Sequence, residues 1–183
     1  MYREEEKREI RKFLRYLIKV YFTDSIPDNI FLPPNLNETN IIISARQEGI
    51  LPFIYQNFIQ TEILKVSDKS KQIAKEHYFL VGAMNITLLR DFKDFVTVCY
   101  KNNFSNFIPV KGIDFVIRYY KNLSLRQMGD IDIFYKKSEK RRLRDMFKLL
   151  RYKSELIEYD VHFRKNNTIF EPQYKIGDEF LRG

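Results

Sequence analysis

The sequence predicts an α+β fold, with a helical N-terminal portion packed on a small mixed β-sheet core. Three observations lead there. Through the first hundred residues apolar side chains recur every three or four positions. After Asn102-Asn103 the pattern changes to short extended runs in which alternate residues are apolar. Those runs alternate with amphipathic helical segments in the order strand, helix, strand, helix, strand, strand. The resulting division is a helical region over 1–103 and a sheet-containing core over 104–183.

Ile10, Phe13, Leu14, Leu17, Ile18 and Tyr21 form the apolar face of a first helix. Pro27, Pro33 and Pro34, with Asn29, Asn35 and Asn37, make a loop. Helical patterning resumes over 39–48, pauses at Gly49 and continues through Pro52, Phe53, Tyr55, Phe58 and Ile59. A long helix then runs from an N-cap at Ser67 to Lys101. Phe107-Ile108-Pro109-Val110 reads as a strand, 113–121 as a helix and 130–135 as an acidic strand. Ser138 is the expected cap of a helix ending near Arg151, with Leu143, Met146, Phe147 and Leu150 as its buried stripe. Two extended runs close the pattern, 156–164 and 168–176, joined at a hairpin-like Asn166-Asn167.

The single Cys99 excludes an intramolecular disulfide and suits a reducing compartment. The first residues are too charged for a signal peptide, and no run of about 18 apolar residues offers a membrane span. A cytoplasmic protein with no membrane partner is expected. The net charge of +8 is uneven: residues 1–103 hold 15 Lys/Arg against 13 Asp/Glu, and residues 104–183 hold 17 against 11. The excess concentrates over 136–153, where nine basic residues from Lys136 to Lys153 meet only Glu139 and Asp145. Such a segment is either a solvated helix face or a contact for a nucleotide or nucleic acid.

The residues that carry chemistry lie close together. In a strand alternate side chains share a face, so Asp130 and Asp132 point the same way, about 6–7 Å apart, while Ile131 and Ile133 enter the core. Two carboxylates on one face of an otherwise apolar strand suit a hard cation such as Mg²⁺ or Mn²⁺, which takes oxygen ligands and substrate phosphates. Gly112 falls where a strand turns into a helix, a place where backbone N–H groups can meet a phosphate. Lys111 and Arg126 add positive charge against a polyphosphate. Gly129 removes a side chain just before the acids. Together these are the parts of a phosphoryl-transfer device.

The run from Ile108-Pro109-Val110-Lys111-Gly112 through Arg126-Gln127-Met128-Gly129-Asp130-Ile131-Asp132-Ile133 resembles the polymerase-β-like nucleotidyltransferase superfamily. More narrowly it resembles an uncharacterised bacterial nucleotidyltransferase family marked by Lys-Gly and then Arg-x-x-Gly-Asp-x-Asp. Residues 44–52, Ser-Ala-Arg-Gln-Glu-Gly-Ile-Leu-Pro, are similar to that family's helical N-terminal region, which extends the resemblance over the whole chain. It implies a nucleotidyltransferase core over 104–183 and metal-dependent transfer from an NTP, ATP among them, to a hydroxyl acceptor. The acceptor classes in view are protein, RNA, sugar phosphate and small molecule. Lys111, Gly112, Arg126 and Gly129 would hold the nucleotide.

The superfamily's first-turn Gly-Ser pair is replaced here by Lys111-Gly112, as in the narrower family. The resemblance also implies a third carboxylate on a later strand, for which Glu171 is favoured and Asp160 is the alternative. Relatives carry an acid-x-His pattern at that point, and Gln173 stands in place of the histidine. His162 is read as a partly buried histidine that lines the pocket or touches the third acid; His77 is read as structural. Family members are usually longer, which predicts that a C-terminal helical portion is missing. The rival reading is a catalytically silent relative that binds nucleotide, nucleic acid or a protein partner, with 136–153 as the nucleic-acid contact.

Overall fold

The structure, a computed structural model, describes residues 4–23, 26–157 and 160–174. Six helices and a five-stranded sheet are present among them. They fall into two compact units, Met1–Ala83 with Asn122–Gln127, and Met84–Lys121 with Met128–Gly183. The change of periodicity at 103/104 marks the end of a helix, and the units divide inside that helix.

In the first unit, α1 (Glu4–Tyr21) buries Ile10, Phe13, Leu14, Leu17 and Val20, and carries Glu4, Glu5 and Glu6 at its positive N-terminal end. α2 (Glu38–Gln47) is capped by Asn37, whose side chain accepts from the Asn40 N–H at 3.2 Å. Pro52 opens the short α3 (Leu51–Ile54), which runs into a π-turn over Tyr55–Ile59. Ser67 caps α4 (Asp68–Lys101), accepting from the Ser70 N–H at 3.3 Å. The 122–127 segment is held by Asn122, whose amide donates to Gln56 and Tyr78 and whose oxygen accepts from Ser124 N–H. It lies so close to α4 that a Cβ at Gly82 would collide with the Ser124 hydroxyl.

In the second unit the sheet comprises β1 (Phe107–Val110), β2 (Ile131–Tyr135), β3 (Lys153–Ile157), β4 (Asp160–Lys165) and β5 (Thr168–Gln173), in the order β1-β2-β5-β4-β3. β2 and β5 run parallel and every other pair is antiparallel. α5 (Lys111–Tyr119) follows β1 with no intervening residue. Aromatic packing fills the core on one face of the sheet. Phe95 of α4 stacks on Phe147 of α6 (Lys140–Leu149), and Phe147 stacks on Phe163 of β4 at 4.1 Å between centroids. Cys99 is buried in this unit, and burial pushes its thiol up to about 12.

Two expectations change, and a third lies largely outside the described residues. The extended run 156–164 is not one strand; the chain reverses within it, and β3 and β4 pair as an antiparallel hairpin. Ser138 does not cap α6. It lies in a 3₁₀ turn, Lys137–Glu139, and the N-cap is Glu139 with no side-chain cap bond. The last strand ends at Gln173, Tyr174 is already a bend, and the rest of the expected continuation, 175–176, lies outside the described residues, as does a C-terminal helical portion. The Asn166-Asn167 hairpin is observed, with Asn166 left-handed at φ 52.

α6 ends at a left-handed Arg151 (φ 62), which lets Tyr152 N–H reach the Phe147 carbonyl at 3.0 Å and sets the Tyr152 ring against Phe147. A Cβ in that conformation costs about 1–2 kcal/mol, of which glycine's extra chain entropy returns part. Arg151→Gly should therefore raise stability by about 0.5–1 kcal/mol in urea unfolding; a loss of stability would show that the arginine side chain outweighs the strain.

Candidate functional site

The alternation of β2 sends Ile131 and Ile133 fully into the core and turns Asp132 to the opposite face, where it is only 3 % exposed. Asp130 stands one residue before the strand and is half-buried. Pairing aligns the neighbours: Val110 of β1 is opposite Asp132, and Asp132 is opposite Glu171 of β5. Continuing the β4–β5 register by one residue sets His162 opposite Glu171, and β3 places Glu155 opposite His162. One transverse rank of the sheet thus reads Val110, Asp132, Glu171, His162, Glu155.

Side chains close this rank. Lys111 Nζ donates to Asp132 Oδ1 at 2.6 Å, and Gln173 Nε2 donates to the same oxygen at 3.2 Å. His162 Nδ1 lies 3.4 Å from Glu171 Oε1. Arg164 Nε donates to Glu155 Oε2 at 2.9 Å. Upstream, the buried Asn85 on α4 accepts from the Met128 N–H at 3.3 Å, which pins the backbone entering Gly129-Asp130.

Charges in this confined space shift one another. Burial raises the Asp132 carboxyl above its usual range, and the Lys111 ammonium, which pulls it down, does not cancel that effect. Glu171 is raised too, by burial first and then by the Asp130 charge. Lys111 moves up, held charged chiefly by its hydrogen bond to Asp132. The result is a cluster of carboxylates in which negative charge exceeds what the adjacent cation neutralises.

The helix start is strained. Lys111 is left-handed (φ 53) although it is not glycine. Such a conformation persists only where surrounding structure enforces it, and here it delivers the ammonium to Asp132. Gly112 packs against Met128, whose Cγ would lie 3.4 Å from a Cβ. At Gly129 a Cβ would meet no protein atom within 4 Å, so internal packing does not require glycine there.

The model of the uncharacterised nucleotidyltransferase family matches residues 34–180. The chain belongs to that family. No curated protein and no solved structure matches it. For a nucleotidyltransferase of this family, Asp130, Asp132, Glu171, Lys111, Gly112 and Gly129 all lie in the second unit around the β1–β2–β5 ends. Arg126 follows the 3₁₀ turn Leu123–Leu125 and is described with the first unit. Asp160 opens β4, and its side chain lies outside what the structure describes. His77 is buried in the first unit, and burial lowers its pKa.

The residues of the acidic cluster fit a hard divalent cation in kind: oxygen donors only, with Asp130 close enough to raise both Asp132 and Glu171. Among the described residues, no three His, Cys, Asp or Glu side chains are disposed as a closed metal site. No described helix is long and apolar enough to cross a membrane.

The role of Gln173 is one the sequence reading missed. It registers there only as a missing histidine, yet its amide positions the buried carboxylate. The signal was the period of two, which puts Gln173 on the same strand face as Glu171.

Lys111→Ala and Lys111→Gly both delete the ammonium, and only glycine relaxes the backbone. The glycine variant should be the more stable by about 1 kcal/mol in parallel urea melts; equal stabilities would mean that the left-handed conformation carries no strain.

Proposed function

We propose that the chain transfers a nucleotidyl group from an NTP to a hydroxyl acceptor, using Mg²⁺ or Mn²⁺ held by Asp130, Asp132 and Glu171. The observation that supports this most is the single rank of Asp132 and Glu171 on parallel neighbouring strands, with Asp130 near enough to raise the Glu171 carboxyl. A hard divalent cation at these oxygens supplies charge neutralisation for the phosphates and alignment of the attacking and leaving oxygens. The acceptor oxygen forms a bond to the α-phosphorus, the bond from that phosphorus to the bridging oxygen breaks, and pyrophosphate leaves. In this reading the deprotonated Glu171, its basicity raised by burial and by Asp130, takes the acceptor proton.

Lys111 has a second use in this reading. Its side chain is more than half exposed although its partner is buried, so the ammonium can turn toward a triphosphate without Lys111 leaving the helix start. Gly112 offers its N–H near the same point, and Gly129 leaves open space beside the acids. Arg126 is proposed to add charge to the triphosphate.

A catalytically silent nucleotide binder is the second reading, and the double engagement of Asp132 Oδ1 by Lys111 and Gln173 favours it. The two separate on one experiment. With α-labelled NTP and candidate acceptors, the intact chain should transfer label, and Asp130→Ala and Asp132→Ala should each lower transfer at least about 10³-fold. Transfer that survives either substitution removes the enzyme reading. Calorimetry then decides for the silent one: nucleotide binding without metal dependence supports it. Gly129→Ala should lower transfer while thermal stability stays within about 0.5 kcal/mol, because the added methyl meets no protein atom.

A further inference from the structure

The opposite face of the same sheet carries a different chemistry. Along α6, Lys140, Arg144 and Lys148 follow one another at four-residue spacing, with Arg141 beside them and Arg151 just past the last turn. All five are exposed, and none has an ion pair among the described residues. Two acids lie nearby. Glu139 is taken by Arg142, which also donates to the Asn102 and Asn103 carbonyls; Asp145, one turn from Arg141 and from Lys148, forms no ion pair with either among the described residues. Arg142 is therefore a structural cation, and the other five form a stripe with no internal partner.

The stripe runs beside a cavity of about 60 Å³ between α6 and the sheet. Lys140 and Arg144 line it on the helix side, Tyr135 and Tyr174 on the strand side, and Phe163 and Pro172 close its base. One water needs about 10–15 Å³ of such space, so the cavity holds several waters or one phosphate group. At its mouth Tyr174 is 39 % exposed, packs edge-on to Tyr135 at 6.0 Å, and carries Lys137 Nζ 5.4 Å from its ring centroid. Cations at regular spacing, a cleft that admits a phosphate and a partly exposed ring among the cations fall on one surface.

We propose that this surface binds a single-stranded polynucleotide. Arg144 and Lys140 take a backbone phosphate in the cleft, the rest of the stripe follows neighbouring phosphates, and a base stacks on the Tyr174 ring. An acidic protein would meet the charges but have no use for the ring, and a duplex would keep its bases from it. The site lies on the α6 face, away from Asp132, Glu171 and His162, so it stands or falls independently of nucleotidyl transfer.

The test uses the full chain and a labelled 15-nucleotide single strand of mixed sequence, as RNA and as DNA, read by fluorescence anisotropy without NTP or metal. Contact with four phosphates predicts that affinity drops about 50-fold between 50 and 200 mM salt. Lys140→Glu with Arg144→Glu should weaken binding at least about 10-fold and flatten that salt slope. Tyr174→Ala should weaken it about 5- to 100-fold with the slope unchanged, and Tyr174→Phe should restore it. Circular dichroism checks that each variant is folded. Binding of either strand with this pattern supports the proposal. Three results overturn it: no binding at 50 mM salt, an equal loss from charge reversal at Arg8 and Lys12 on α1, or competition by polyglutamate as effective as by the unlabelled strand.

Discussion

Burial of the Asp132 carboxylate governs the architecture around it. A charge that is only 3 % exposed needs partners, because removing it from water without them costs several kcal/mol. Two are supplied, the Lys111 ammonium and the Gln173 amide, on the same oxygen. Delivery of the first requires β1 to turn into α5 with no loop, and that turn is made at a left-handed lysine. Delivery of the second requires β5 to lie parallel beside β2, in a register that puts Glu171 next to Asp132. The acidic cluster is thus a consequence of solving one desolvation problem with neighbouring strands. The same solution brings Asp130 close enough to Glu171 to raise the glutamate carboxyl.

What the sequence made legible follows from short-range periodicity. The two isoleucines between acids define the faces of β2, and both are wholly buried. The helical stripes of α1 and α6 are visible for the same reason, as are the caps at Ser67 and the turn at Asn166. The reversal between β3 and β4 was not visible, because residues 156–164 contain no Gly, Pro or Asn to announce a turn. Ser138 looked like a cap because a serine before a charged helical run resembles one, yet the chain spends it inside a 3₁₀ turn. The role of Gln173 depends on which strand becomes the neighbour of β2, a tertiary fact that no local pattern contains. The left-handed backbone at Lys111 is equally silent, since lysine gives no hint of positive φ.

The division into compact units shows a similar limit. Periodicity changes where α4 ends, at Asn102-Asn103. Packing divides inside the helix, because Gly82 admits the 122–127 segment at one level while Asn85 and Asp91 bind Met128 and Thr168 at the next. A continuous helix can therefore serve two packing groups, and only side-chain size and hydrogen bonding mark the boundary.

The period of two also keeps unlike charges apart. Asp132, Glu171 and His162 share one face of the sheet, while Tyr135, Phe163 and Pro172 turn to the face that α6 covers. Had the basic stripe stood on the acidic face, its lysines and arginines would have paired with the carboxylates and quenched both. Separated by a layer of buried aromatic rings, the carboxylates keep their excess negative charge and the helix keeps its excess positive charge. Screening at physiological salt acts over about 8 Å, comparable to the roughly 10 Å spacing of packed layers. One small unit can in this way present an anionic face and a cationic face at once, and the +8 net charge of the chain belongs chiefly to the second.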